Sequence, residues 1–109
     1  MNSKVLFMGL TFKENVPDMR NSLALEIFSQ LTELGFDMFA YDSILDSKGI
    51  EYSKKANSRH INMKFDAIFL AVHHREFLKY ETSWYADRLT QKGQIFDIKN
   101  LLNVAEILP

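Results

Sequence analysis

A three-layer α/β domain with a mostly parallel sheet is predicted for this chain of 109 residues by three observations. Short apolar runs that end in polar turns alternate with segments of helical spacing. Two of those runs, in Lys4–Met8 and in Asp66–Val72 after its first residue, are apolar on both faces, as strands covered from both sides are. No internal repeat, linker or low-complexity stretch divides the chain, and its length suits one compact core, so residues 1–109 are expected to form a single domain.

Taken in order, Lys4-Val5-Leu6-Phe7-Met8 enters Gly9 as a buried strand enters a turn, and is expected to be the central strand. After a polar stretch from Thr11 to Arg20, Leu23, Leu25, Ile27, Phe28, Leu31 and Leu34 recur at helical spacing. Asn21 or Ser22 can cap that helix and Gly35 can end it. Asp37–Tyr41 reads as a second strand with Asp42-Ser43 as turn residues, completing a strand–helix–strand unit that should cross over right-handedly. Residues 44–64 are mixed and weakly periodic, with Gly49 before a possible short strand at Ile50–Ser53. Asp66–Val72 is the clearest strand and ends at His73-His74-Arg75-Glu76; a short helix is expected from about Glu76, and another over Trp84–Leu89. Lys92-Gly93 then precedes a strand over Gln94–Asp97, which leaves through the polar turn Asp97-Ile98-Lys99-Asn100. Phe36, Phe39, Phe65, Phe69 and Trp84 are expected to fill the core rather than a binding site.

Composition excludes several classes of function. With 47% apolar and 25% charged residues the chain has the make-up of a soluble globular domain, and no apolar run approaches the roughly 20 residues of a membrane span. Its 13 basic and 14 acidic side chains are dispersed, leaving no basic stripe for a nucleic-acid backbone. Cysteine is absent, which removes disulfides, thiolate nucleophiles and sulfur-ligated metals, and no signal-peptide stretch opens the chain; a cytoplasmic setting is expected. His73 and His74 are adjacent, a poor spacing for placing both rings on one metal, so no metal site is expected.

Ligands of parallel sheets sit outside the carboxyl ends of the strands, and three polar turns converge there: Gly9–Arg20, His73–Glu76 and Asp97–Asn100. The first is too long for a minimal connector. Gly9 permits close backbone approach, Lys13 suits a phosphate oxygen, Phe12 can wall a base or sugar, and the helix amides near Asn21 and Ser22 favour an anion. Neither GxGxxG nor GxxxxGK[ST] is present, so NAD is not expected to bind here in the usual way. Spacing alone is equally compatible with a solvated loop whose Lys and Arg pair with Glu14 and Asp18.

The whole segment Gly9-Leu10-Thr11-Phe12-Lys13-Glu14-Asn15-Val16-Pro17-Asp18-Met19-Arg20-Asn21-Ser22 resembles the signature that opens the C-terminal domain of UDP-glucose, GDP-mannose and related nucleotide-sugar dehydrogenases. Its Glu-Asn-x-Pro-Asp-x-Arg-Asn form is most similar to the branch acting on UDP-N-acetylhexosamines in Vi-type capsule and O-antigen biosynthesis. Tyr41-Asp42, Ala71-Val72-His73-His74-Arg75-Glu76-Phe77 and Phe96-Asp97-Ile98-Lys99 resemble that family's later motifs in the same order, although Ser43 stands where the family usually has proline.

The resemblance implies a Rossmann-like UDP-sugar-binding domain whose parent is an NAD-dependent UDP-sugar 6-dehydrogenase. That parent oxidises a sugar C6 alcohol to a uronate with a catalytic cysteine and an N-terminal NAD domain. Neither the cysteine nor a nicotinamide site lies in these 109 residues, so no catalytic residue and no isolated activity are expected, and the NAD-binding and central helical domains are expected to be partners supplied from outside the chain, in a homo-oligomer. Carried over by position, Phe12, Lys13 and Lys99 would contact the UDP-sugar. Gly9, Asp18, Arg20 and Ser22 suit loop shaping: an ion pair, a tight turn and a helix cap. His74 and Arg75 can assist binding or hold the turn. Two other readings stand beside this one: a structural or oligomerisation domain without nucleotide affinity, and a free-standing regulatory α/β domain, for which Asp42 and Asp97 alone supply too little switch chemistry.

Overall fold

The computed structural model describes residues 3–50 and 62–98. Four strands, β1 (Lys4–Met8), β2 (Asp37–Tyr41), β3 (Phe65–Leu70) and β4 (Leu89–Asp97), form one sheet in the order β2-β1-β3-β4, and every neighbouring pair is parallel. The fold is the three-layer, Rossmann-like α/β arrangement. β1 and β3 are the inner strands, as their apolar runs on both faces require.

Alternation along the strands divides the core in two. Val5 and Phe7 of β1, with Met38 and Ala40 of β2, face α1 (Leu23–Glu33), and Phe28 of α1 meets Phe7 edge-on at 5.7 Å between ring centroids. Leu6, Met8, Phe39 and Ile68 face the opposite layer, made by a 3-10 turn at Phe77–Lys79 and the short helix α3 (Thr82–Ala86). Phe77, Tyr80, Trp84 and Tyr85 pack there, with Tyr80 and Trp84 stacked at 4.2 Å and Arg88 over the Trp84 ring. No helix among the described residues is long and apolar enough to cross a membrane.

Several expectations need correction. Asp42-Ser43 is not a simple turn, because Asp42 caps a further helix, α2 (Ser43–Ser47), in the stretch that reads as irregular. Five residues are too few to display a helical period. Ile50 lies in no strand, and the remainder of the expected Ile50–Ser53 strand falls outside the described residues. β3 ends at Leu70 rather than Val72, since the Ala71 and Val72 amides both turn to the Met8 carbonyl. α3 lies earlier than the expected Trp84–Leu89 helix, and β4 starts at Leu89 rather than Gln94.

The register explains the longer β4. While β3 advances from Phe65 to Ala67, β4 advances from Leu89 to Gln94, so residues between them bulge out, and regular pairing resumes at Gln94. Lys92-Gly93 lies inside that bulge. Finally, Phe36 is 37% exposed instead of buried, whereas Phe39 and Phe65 are core residues and Phe69 and Trp84 pack against the core.

Candidate functional site

Strand order reverses between β1 and β3, because α1 carries the chain from β1 outward to β2 while β3 lies on the other side of β1. The carboxyl ends of these two strands form the topological switch point. Gly9, with φ of 95°, turns the chain out of β1 against the end of β3: a Cβ at Gly9 would stand 2.6 Å from Val72 Cβ and 2.9 Å from the Val72 N and O atoms. Glycine is required because the space is already filled by the chain itself. The strand end at Gly9 is therefore closed, and the accessible surface there is the loop that follows.

That loop, residues 10–22, is tied down at both ends and in its middle. Leu10 and Thr11 are buried, and the Leu10 amide donates to Asp42 Oδ2 at 2.7 Å. The Thr11 hydroxyl donates to the Lys13 carbonyl at 2.9 Å, and the Phe12 amide donates to the Asp18 carbonyl. At the far end Ser22, in extended backbone, caps α1 by accepting the Leu25 amide, while its hydroxyl donates to the Thr11 carbonyl at 3.3 Å. Asn15 and Asn21 take the left-handed backbone, φ 64° and 58°, which asparagine tolerates better than most residues.

The middle of the loop rests on a buried pair. His74 and Asp42 are both fully buried, with His74 Nε2 2.9 Å from Asp42 Oδ2. A backbone N–H can only donate, so the Asn15 amide, 3.0 Å from His74 Nδ1, makes that nitrogen an acceptor and places the ring proton on Nε2. His74 is thus a neutral donor to Asp42, with the Thr11 hydroxyl oxygen also within 3.3 Å of Nε2. Asp42 Oδ1 accepts the Ile44 and Leu45 amides at the start of α2. Burial by itself pushes the Asp42 carboxyl up, but hydrogen bonds from His74, Leu10 and Leu45 outweigh it and hold the group below the usual carboxylate range. One carboxylate therefore joins the ends of β1, β2 and β3.

Asn15 returns the contact: its side-chain oxygen accepts the Arg75 amide at 2.7 Å. Asp18 and Arg20 form a two-point ion pair, Nε to Oδ1 at 3.1 Å and the terminal nitrogen to Oδ2 at 3.0 Å. The Arg20 guanidinium beside Asp18 lowers its carboxyl, with the Arg20 backbone amide adding to the effect. Such an exposed pair shapes the loop more than it stabilises the fold. At the neighbouring strand ends His73 Nε2 lies 2.8 Å from Asp97 Oδ1, linking β3 to β4.

What this scaffold presents outward is Phe12 and Lys13. Phe12 is 56% exposed although a benzyl side chain normally seeks burial, and Lys13 is exposed beside it. No ion pair within the described residues engages the Lys13 ammonium. A shallow depression of about 180 Å³ is lined by Phe12, Asp18, Arg20 and Asn21, ahead of the α1 N-terminus. An aromatic wall at the depression, an exposed cation at the next residue and a helix N-terminus behind them suit a flat, anionic ligand.

A model of the UDP-glucose/GDP-mannose dehydrogenase family, UDP binding domain, matches residues 6–104. The chain belongs to this family. It is 32% identical over 107 residues to UDP-N-acetyl-D-glucosamine 6-dehydrogenase of Pseudomonas aeruginosa, covering 93% of this chain and 24% of that protein. It is 35% identical over 106 residues to the putative UDP-glucose 6-dehydrogenase YtcA of Bacillus subtilis, again covering 24% of the relative. The solved structure of the UDP-N-acetyl-mannosamine dehydrogenase Cap5O from S. aureus superposes with a TM-score of 0.71 at 28% identity, over 92% of this chain and 23% of that one. This member of the UDP-binding-domain family thus spans about a quarter of the length of these relatives.

Within this UDP-binding-domain fold the expected site residues fall into two groups. Phe12 and Lys13 project from the loop, while Gly9, Asp18, Arg20 and Ser22 shape it. His74 is buried beneath the loop, and Arg75 is exposed with its amide held by Asn15. Lys99 lies outside the described residues. Sequence reasoning missed Asp42 and Asn15, partners of His74 on either side of its ring. A signal for Asp42 was available: an aspartate at a strand end, followed by Ser-Ile-Leu-Asp, is an N-cap signature, and the proline usual after it in the family is a residue favoured at the first helical position.

Proposed function

We propose that this chain forms the UDP-recognising wall of a nucleotide-sugar cleft in an NAD-dependent UDP-sugar 6-dehydrogenase, with a UDP-N-acetylhexosamine as substrate. The observation that carries the reading is the exposed Phe12-Lys13 pair on a loop anchored over the switch point of a parallel sheet. Phe12 walls the base or sugar, Lys13 neutralises phosphate charge, and Lys99 adds a second cation from the terminal turn. Relatives whose names specify UDP-N-acetylhexosamine dehydrogenases support the substrate class.

Oxidation of the C6 alcohol belongs to other parts of the parent enzyme. The chain has no cysteine, and its single glycine at the β1 end is packed against Val72, so the pyrophosphate of NAD has no backbone to approach there. NAD is assigned to a separate N-terminal domain, which with the central helix closes the cleft in a cytoplasmic homo-oligomer. Because half the cleft comes from elsewhere, UDP affinity of this chain alone is weak.

Calorimetric titration with UDP tests the reading: saturable binding in the micromolar to millimolar range is expected, weakened several-fold by Lys13→Ala with no change in thermal midpoint. Absence of heat at millimolar UDP in a folded sample would favour a second reading, a structural domain that only closes the site. An apolar depression of about 290 Å³ over Val5, Leu31, Phe36, Ala67, Phe69 and Phe96 is the surface such a domain would use.

A further inference from the structure

We propose that His74, Asp42 and Asn15 are positioning residues for nucleotide recognition: together they fix the segment Phe12-Lys13-Glu14, whose first two side chains are exposed, by pinning the residues on either side of it. The inference takes its ligand from the nucleotide reading above and its geometry from the hydrogen bonds alone. Thr11, before the tripeptide, lies 3.3 Å from His74 Nε2, and Asn15, after it, donates its amide to Nδ1 of the same ring at 3.0 Å. Both ring nitrogens are thus committed to the loop. Asp42 2.9 Å from Nε2 fixes the tautomer that leaves Nδ1 free to accept, and its Oδ1, bonded to the Ile44 and Leu45 amides, fixes Asp42 in turn. Asn15 closes the clasp through the Arg75 amide.

A His74–Asp42 pair buried merely to join strand ends would need no reach into residues 11–15. Tying β2 to β3 requires the Asp42–His74 bond only, and the Leu10 amide already ties β1 to Asp42 at 2.7 Å. The Nδ1–Asn15 bond adds nothing to the sheet. What it does is order the segment that carries the exposed Phe12 and Lys13 side chains, and a loop held in its binding geometry loses less entropy when ligand arrives. His74 itself is fully buried and cannot touch the ligand, so it acts through the loop.

The two functions of the ring separate by substitution. In His74→Asn the amide oxygen replaces Nδ1 near its place, keeping an acceptor for Asn15 and leaving Asp42 without its donor. In His74→Gln the longer amide reaches Asp42 as Nε2 does and leaves the Asn15 amide without an acceptor. Urea unfolding, calorimetric UDP titration and amide exchange at Asn15 are measured for wild type and both variants. His74→Asn should lose more stability yet bind UDP within about twofold of wild type, whereas His74→Gln should keep more stability and bind about tenfold more weakly, the effect of one unsatisfied donor.

Affinity that falls in step with stability in both variants, or wild-type affinity in His74→Gln, overturns the proposal. If wild type itself binds no UDP, the nucleotide reading fails, and exchange then decides the positioning role: faster exchange of the Asn15 amide in His74→Gln than in His74→Asn supports it, and equal protection refutes it. Asn15→Gly guards against misfolding of the buried variants, because the position is exposed and glycine accepts its backbone angle. It should weaken UDP binding several-fold with little change in unfolding midpoint; unchanged affinity in a wild type that binds also refutes the proposal.

Discussion

Replacing Gly9 by alanine tests whether the loop after β1 is aimed by close packing of β1 against β3, and Gly35→Ala supplies the control. Both glycines have positive φ, 95° and 99°, so alanine pays a backbone cost of about 1–2 kcal/mol at each. Their surroundings differ. A Cβ at Gly35 meets nothing within 4 Å, whereas at Gly9 it meets Val72 Cβ at 2.6 Å and two Val72 backbone atoms at 2.9 Å. Backbone cannot swing aside as a side-chain tip can, so an overpacking cost of about 1–3 kcal/mol is added at Gly9. Gly9→Ala is therefore expected to cost about 2–5 kcal/mol and Gly35→Ala about 1–2 kcal/mol.

Urea unfolding followed by far-UV circular dichroism reads the difference. Taking a slope of about 2 kcal/mol/M, the midpoint falls by about 1–2.5 M for Gly9→Ala and by about 0.5–1 M for Gly35→Ala. Equal midpoints for the two variants would refute the reasoning, since they would mean that the Val72 contact relaxes without cost.

Acid should destabilise the fold through Asp42. Its folded pKa lies below the unfolded one, so the stabilisation is complete above about pH 4 and disappears as pH falls through the folded value; Asp42→Asn should lower stability at pH 7 and flatten the acid limb, as urea titrations from pH 7 to pH 3 would record. Ser22→Ala removes both the α1 cap and the tie to the Thr11 carbonyl and should cost about 1–2 kcal/mol in the same assay; a loss under about 0.5 kcal/mol would mean that solvent replaces the cap. Arg20→Ala should leave the thermal midpoint unchanged while the Asp18 carboxyl, followed by carbon NMR, titrates at higher pH than in wild type, because its largest stabilising contact has gone.

The elements most legible in the sequence are those with a long or two-sided signal. β1 and β2 match their apolar runs residue for residue, and α1 carries three turns of periodicity with Ser22 and Gly35 marking its ends. The failures are short or cooperative. α2 contains five residues and shows its presence only through Asp42 as cap. The bulge in β4 depends on which residues of β3 lie opposite, a fact no local window holds. Phe36 reads as core by residue type, yet it sits between Gly35 and the first residue of β2, at the rim of the sheet.

For the site the division is similar. The motif from Gly9 to Ser22 names Phe12 and Lys13 as outward candidates, and Asp18 and Arg20 are close enough in sequence for their ion pair to be anticipated. Asp42 and Asn15 lie 32 and 59 positions from His74, and nothing in their local patterns announces that they meet. The sequence by itself determined the fold class, the family and the loop that carries the family motif, because apolar period, turn chemistry and an extended motif are all local. Which polar residues hold that loop was decided only by tertiary structure: a parallel sheet brings distant strand ends together, and a buried carboxylate must find its donors wherever the chain happens to return.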